Sequence, residues 1–333
     1  MEFGFGHHIN DDYRKHIELA QLGEALGFDF FWLPDQTFFP DPYIVLGLVA
    51  QATQKIQVGL AVTNPHTRHP AISARSVGTL GQIAPGRVHL GIGAGNQKEL
   101  ILPLGLDGDH VGSKLREMLE IIRGLLTGER LVYRGKYFQV DGVKLDFPPP
   151  APIPIYMAGR GTYVLQSAGE LADGVIIGAI CNKRGIDFAI EQVRLGTAKS
   201  GRALAETRIV SWLTVILTED RDSALQGVRS SVAHIIGGAP DEVLENVGLD
   251  MELIRRIKEV YWKVGIAQAG ELVTVDCIDA FTIIGDARAI IDRVQMLREA
   301  GVNQLSINLG DAMVEQHKQR LQAFAQAVLP AFA

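Results

Sequence analysis

Eight apolar, strand-like segments, each leading into a helical pattern, and the lack of a domain-like linker in 333 residues predict a single (β/α)8 (TIM) barrel. The segments begin near residues 2, 28, 56, 87, 155, 174, 208 and 304. Val- and Ile-rich strands that alternate with helices imply a parallel sheet covered on its faces. A doubly wound sheet is the second choice, because eight units and this length favour closure. About 50 residues, 234–284, separate the seventh and eighth units. They are mostly helical by pattern and are expected to form an insertion before the last βα unit, a lid or wall at the active-site end.

Taken in order, residues 2–6 alternate Phe3 and Phe5 with small or polar residues and form the first strand. Asp11 or Asp12 can cap the next helix, where Leu19, Leu22 and Leu26 recur at helical spacing and Gly27 closes the element. FDFFWL (28–33) is the second strand, and the loop PDQTFFPD leads to a helix over 42–53. Strand three covers 56–62, followed by TNPHTRHP and a helix starting near Pro70; strand four, 87–91, ends in GIGAGN. A helix over 112–127 and two short strands within 131–147 come next, with Asp141-Gly142 as the hairpin turn. Pro148-Pro149-Pro150 then resets the chain. Strands at 155–158 and 174–177 flank a glycine turn and a helix. A helix over 185–199, a strand over 208–217, a helix from Asp220, a strand over 304–309 and a helix marked by Leu321, Phe324 and Val328 complete the barrel.

Composition narrows the function. Hydrophobic residues at 47% and charged residues at 21% describe a globular chain with a large core. A net charge of −6 with no basic cluster argues against nucleic acid or an anionic membrane as partner. Cys181 and Cys277 are too few for a disulfide framework or a zinc cluster. No apolar run reaches the ~20 residues that span a bilayer, and MEFGFGHHINDDY lacks the layout of a leader. A cytoplasmic enzyme is expected.

In a barrel, ligands bind where the strands end. Those ends carry Gly6-His7-His8, Pro34-Asp35-Gln36, Ala61-Val62-Thr63-Asn64, Gly93-Ala94-Gly95-Asn96, Ala158-Gly159-Arg160-Gly161-Thr162 and Gly178-Ala179. Glycine and alanine dominate, which predicts an open floor of exposed backbone suited to a large flat ligand. The turn 159–162 opens a helix, so backbone N–H groups and a helix N-terminus converge beside the Arg160 charge, an arrangement that suits a phosphate-bearing cofactor. An ordinary βα turn accounts for the glycines equally well. Asp35 either meets a polar ligand edge or caps its turn. His66-Thr67-Arg68-His69 lacks the glutamate of HExxH, so no metal is expected. GIGAGN has its third glycine one position early for the GxGxxG dinucleotide fingerprint.

Four stretches, LGFDFFWLPDQ, KIQVGLAVTNPHTRHP, RVHLGIGAGN and AGRGTYVLQSAGELADGVIIGA, with VDCIDAFTIIGD before the penultimate helix, resemble the bacterial luciferase-like superfamily. Within it the chain is most similar to deazaflavin-dependent reductases of the methylenetetrahydromethanopterin reductase type. The resemblance runs through essentially the whole chain. It implies a TIM barrel with an insertion, a homodimer or higher homo-oligomer, and coenzyme F420, with FMN as the alternative cofactor. It also implies a cis peptide bond at Ala61-Val62, where a bulge would press backbone against the cofactor ring. Asp35 and Asn64 would approach the ring's polar edge and Gly95-Asn96 would line the wall. Gly159, Arg160, Gly161, Thr162, Gly178 and Ala179 would hold the phosphate end.

Departures from the family pattern bear on the substrate. Asp35-Gln36 stands where several deazaflavin enzymes carry Asp-His, which speaks against sugar or alcohol dehydrogenation of that type. Asn96 and Gly6 stand where the methanopterin reductases carry acidic residues. The expected function is hydride transfer between C5 of F420 and a small organic substrate. Gln36, Asn96 and His7 are the candidates for substrate contact or proton delivery. The alternatives are an FMN-dependent monooxygenase and a non-catalytic flavin-binding protein that keeps only the 159–162 loop.

Overall fold

A computed structural model of the chain describes residues 1–7, 12–35, 38–310 and 313–333. β1 (Glu2–Gly6) leads to α1 (Tyr13–Leu26), which the Asp12 carboxylate caps and Gly27 ends at φ 88°. β2 (Phe30–Leu33), α2 (Pro42–Ala52), β3 (Gln57–Thr63), α3 (Pro70–Ile83) and β4 (Val88–Ile92) repeat the unit. A π-helical turn (Gln97–Ile101) precedes α4 (Val111–Leu126) and the hairpin β5 (Leu131–Arg134) and β6 (Gln139–Val143). Then come β7 (Ile155–Ala158), α5 (Thr162–Leu171), β8 (Gly174–Gly178), α6 (Lys183–Lys199) and β9 (Arg208–Leu217). The segment before the last barrel strand holds α7 (Arg221–Gly238), α8 (Asp241–Val247), α9 (Met251–Lys263), α10 (Ile266–Glu271), α11 (Val275–Phe281), β10 (Thr282–Gly285) and α12 (Ala287–Ala300). β11 (Gln304–Asn308) and α13 (Val314–Ala327) close the barrel.

The main sheet has nine strands in the order β10-β9-β11-β1-β2-β3-β4-β7-β8, and a β8–β9 ladder closes eight of them into a parallel barrel. β10 is the ninth, and local pattern did not reveal it. Thr214 of β9 pairs with Asn308 of β11 and also with Thr282 of β10. The two partners therefore lie on opposite edges of β9, and β10 continues the edge that β8 occupies further down. The long β9 overhangs its neighbours, and β10 satisfies that overhang.

The hairpin turn falls at 135–138 rather than at Asp141-Gly142. Gly135 N–H donates to the Phe138 carbonyl at 3.0 Å. The Glu117 carboxylate of α4 accepts from the N–H groups of Lys136, Tyr137 and Phe138 at 2.7, 2.9 and 2.9 Å. Leu131 pairs with Val143 and Val132 with Asp141, so Gly142, at φ 67°, is the extra residue of a bulge. A tertiary contact from α4 chose the turn.

Strand alternation divides the apolar residues into two cores. The outer one lies between strands and helices, where Phe3, Phe5, Phe31, Leu33, Val58 and Leu60 are buried. The inner one is small: Phe30, Trp32, Tyr156, Ile176 and Val210, with Ala61, Val62, Ala158 and Trp212 partly exposed above it. Phe30 and Trp32 stack at 5.4 Å, and Tyr156 meets Trp32 edge-on at 5.8 Å. Glycines make room for these rings. A Cβ on Gly59 would lie 2.5 Å from Trp32, and one on Gly6 would lie 2.4 Å from Trp212.

Candidate active site at the carboxyl ends of the strands

β3 shapes the floor. Leu60 pairs with Leu90 and Thr63 with Ile92, so Ala61 and Val62 together oppose Gly91 alone. The Ala61-Val62 peptide is cis, at the position the family resemblance implies. Both side chains then face inward, and both pack on the inner core. A Cβ on Gly93 would lie 2.6 Å from Val62, so that side chain covers the glycines of β4. This corrects the expected open floor of bare backbone. Val62, Ala158 and Trp212 surface it with apolar atoms, and the larger side chains occupy the space that Gly6, Gly91 and Gly93 leave. Gly178 has nothing within 4 Å of a would-be Cβ, and Ala179 beside it adopts φ 52°.

Asp35 and Asn64 hold the loops at the rim. The Asp35 carboxylate accepts from Thr63 Oγ1 at 2.7 Å and lies 3.7 Å from Arg68 Nε. Burial raises its pKa, while the Thr63 hydrogen bond and the Arg68 charge work against that rise. Arg68 also bonds the Asp41 carboxylate at 2.8 Å and lies 4.6 Å above the Tyr43 ring. Asp35 thus belongs to a polar cluster between β2, β3 and α2. Asn64 Oδ1 accepts from His66 N–H and Thr67 N–H at 2.9 and 3.0 Å, which fixes the TNPHTRHP loop. Its amide nitrogen is buried with no hydrogen-bond partner among the described residues, a donor left for a ligand or a water. His69 Nδ1 accepts from Ala71 N–H and caps α3.

The turn after β7 gathers a positive field. Gly161 is the N-cap of α5 and supplies no side chain, so the first N–H groups of that helix are not capped. Arg160 retains some exposure as a residue, but its guanidinium is enclosed by protein, and burial pushes its pKa down to about 10. Among the described residues it donates to the Ile235 carbonyl of α7 at 3.3 Å, and no carboxylate pairs with it. An enclosed cation without a counter-ion fits an anionic ligand. Gly159 sits against Val164, and Thr162 Oγ1 donates to the Glu242 carboxylate of α8. This donor set matches the phosphate end of a nucleotide-like cofactor.

Beside it, after the neighbouring strand β4, Gly95 turns at φ 74° and Asn96 caps the π-helical turn. Asn96 Nδ2 reaches Glu99 Oε2 at 3.0 Å and His234 Nε2 at 3.3 Å. Sequence reasoning missed His234, Tyr261, Glu242 and Trp212. Of these only Trp212 carried a local signal, since it shares the inward parity of Val210 on β9. The other three come from the segment between β9 and β11, whose path across the mouth has no local signature.

His7 does not join them. It is 2% exposed and lies in the outer layer, 2.8 Å from His16 Nδ1 of α1 and ring-to-ring 5.0 Å from His317 of α13. Gly6 faces inward, so its neighbour must face outward; substrate contact by His7 is thereby excluded. Gln36 lies outside the described residues. The structure brings Ala61, Val62, Gly159, Arg160, Gly161, Thr162, Gly178, Ala179, Gly95 and Asn96 to one end of the barrel.

A parallel barrel with a bulged third strand, an apolar floor and an anion cradle after β7 defines a cofactor-binding barrel enzyme class. The family model for luciferase-like monooxygenases matches residues 2–304, and the chain belongs to that family. The 5,10-methylenetetrahydromethanopterin reductase of Archaeoglobus fulgidus is 33% identical, covering 99% of each chain. The F420-dependent glucose-6-phosphate dehydrogenase of Nakamurella multipartita is 32% identical over 68% of this chain and 71% of that protein. The coenzyme F420-dependent tetrahydromethanopterin reductase of Methanopyrus kandleri superposes with a TM-score of 0.87 at 30% identity, covering 100% of both chains.

Proposed function

We propose that the chain is a coenzyme F420-dependent oxidoreductase that moves a hydride between C5 of the deazaflavin and a small organic substrate. The observation that carries this reading is the enclosed, carboxylate-free Arg160 guanidinium beside the open N-terminus of α5. The relatives similar over the whole chain are named for methanopterin reduction and F420 dependence, which favours the deazaflavin over FMN. The cofactor supplies the hydride chemistry; the protein supplies position, a dry floor and charge. Arg160, Gly161 and Thr162 would hold the phosphate, with Gly178 and Ala179 leaving room beside it. The bulge at Ala61 and Val62 would support the ring, with Asn64 offering its unpartnered amide.

The substrate pocket differs from one that has a carboxylate at the end of β1. Trp212 fills the space beside Gly6, which gives an apolar wall there. An apolar part of the substrate suits that wall, which leaves its C=N or C=O group to the polar rim. Residues 234–284 would close the side of the pocket within a single barrel unit. No helix of the described residues is long and apolar enough to cross a membrane, and a cytoplasmic setting fits the chemistry.

A homodimer fits the surface. α2 contains no charged residue, yet Ile44 is 69% exposed, and Leu48, Ile72 and Ile83 continue an apolar face onto α3. A two-fold contact that pairs this patch with its own copy would bury it. Sedimentation should give a dimer that Ile44→Asp dissociates.

Equilibrium titration of apo-protein with oxidised F420, and separately with FMN, followed by fluorescence, tests the cofactor. F420 should bind and FMN should bind far more weakly. Preference for FMN would instead favour oxygen-dependent monooxygenation, and binding of neither would overturn the proposal.

A further inference from the structure

One turn of α7 spans two strand ends. His234 reaches Asn96 after β4, and the Ile235 carbonyl takes Arg160 after β7, so His234 stands on the rim of the mouth. The network around it sets its tautomer. Asn96 Oδ1 accepts from Lys98 N–H at 3.1 Å and Glu99 N–H at 3.0 Å. The amide nitrogen must therefore be the atom facing His234 Nε2 at 3.3 Å. An amide N–H only donates, so Nε2 carries the lone pair and Nδ1 the proton. Nδ1 lies 3.0 Å from the Tyr261 hydroxyl and 3.9 Å from Glu99 Oε1. The side chain is 36% exposed, so it can meet a ligand.

Among the described residues, the charged and titratable groups facing this imidazole come from two elements. Glu99, on the turn after β4, favours the imidazolium. Tyr261, on α9, orients Nδ1, and its pKa is raised by burial and by Glu99, so it stays a neutral hydroxyl. Lys98 opposes protonation from further off; its ammonium donates to the Tyr261 carbonyl at 2.8 Å and lies 4.1 Å from the Tyr261 ring centroid.

We propose that His234 transfers the proton that accompanies hydride transfer, a task the Asn96 amide cannot perform. The inference rests on the F420 reading above. In the reducing direction a C–H bond forms at the substrate carbon from the hydride of reduced F420. The C=N or C=O electron pair moves onto the heteroatom, which displaces the Asn96 amide from Nε2 and takes the proton that protonated His234 carries there. The imidazole returns to its neutral Nδ1–H form, and the second hydrogen of reduced F420 leaves to solvent as a proton. Oxidation runs the same path backwards, with the Nε2 lone pair accepting the N–H or O–H proton.

Two measurements test this on the full-length protein. The first uses ¹⁵N-histidine NMR of apo-protein, with His234→Gln to assign the resonance. A neutral Nδ1–H tautomer at high pH is expected; an Nε2–H tautomer overturns the inference whatever the cofactor. The second measures turnover of reduced F420 with a panel of imines and ketones across pH. His234→Gln should lower kcat about 100-fold or more and abolish one limb of its pH profile. KM and F420 affinity should stay within about threefold, and added imidazole should partly rescue His234→Ala. Tyr261→Phe should shift that limb and keep it. Turnover of His234→Gln near the wild-type rate with an unchanged profile overturns the inference and leaves the F420 reading standing. Failure of unmodified protein to bind F420 overturns that reading, and this inference with it.

Discussion

Replacing Arg160 by methionine should move stability and ligand affinity in opposite directions. Burial lowers the Arg160 pKa from 12.5 to about 10, which costs the charged form about 3 kcal/mol at 1.36 kcal/mol per unit. Methionine keeps the apolar stem and removes that charge. It also removes the bond to the Ile235 carbonyl, a contribution of about 1 kcal/mol. Apo-protein is therefore expected to gain about 1–2 kcal/mol, within the range seen when buried charges are replaced by apolar side chains. A phosphate in the cradle would lose a charge-assisted hydrogen bond of about 1.5–3 kcal/mol, so F420 affinity should fall about 10- to 100-fold. Urea unfolding followed by circular dichroism reads the first effect, and fluorescence titration with F420 reads the second. Lower stability with unchanged affinity would refute the reasoning, because Arg160 would then be a strut holding α7.

His89, buried among Phe30, Trp32 and Tyr156, has its pKa pushed down by burial from 6.5 to about 4. The unfolded chain binds a proton there first, so stability is full above about pH 6.5 and falls as pH drops through about 4, by about 3 kcal/mol in all. Denaturant midpoints of His89→Phe should show correspondingly less loss over that window than wild type. A Gly6→Ala substitution places a Cβ 2.4 Å from Trp212 and 2.7 Å from the Trp32 carbonyl oxygen, and should destabilise by about 2–3 kcal/mol in the same assay. Glu242→Gln removes the negative charge that Thr162 contacts at the start of α5, and should tighten F420 binding about two- to fivefold, more at low salt.

The eight barrel strands were legible because each is a short apolar run that must be buried on both faces, a requirement written into consecutive residues. The proposed cofactor end of the site rests on a related kind of signal. A glycine turn that opens a helix beside an arginine forms its anion cradle from neighbours in sequence, wherever the rest of the chain goes. Direction was harder. His7 and Gly6 are adjacent at a strand end, and strict alternation sends only one of them inward; the Phe3 and Phe5 packing against outer helices shows which. The hairpin turn at 135–138 needed Glu117, from a different element, to satisfy three backbone donors. β10 needed the overhang of β9, and the apolar floor needed Trp212 to lie across Gly6. His234 meets Asn96 across 138 positions of sequence. Contacts of that separation leave no periodicity, because each partner is chosen by the packing of whole helices over the barrel and by no property of its own neighbours. Local burial and turn chemistry thus wrote the barrel and its proposed phosphate end into the chain, while tertiary packing alone brought together His234 and Asn96, which the proposal sets beside the reacting carbon.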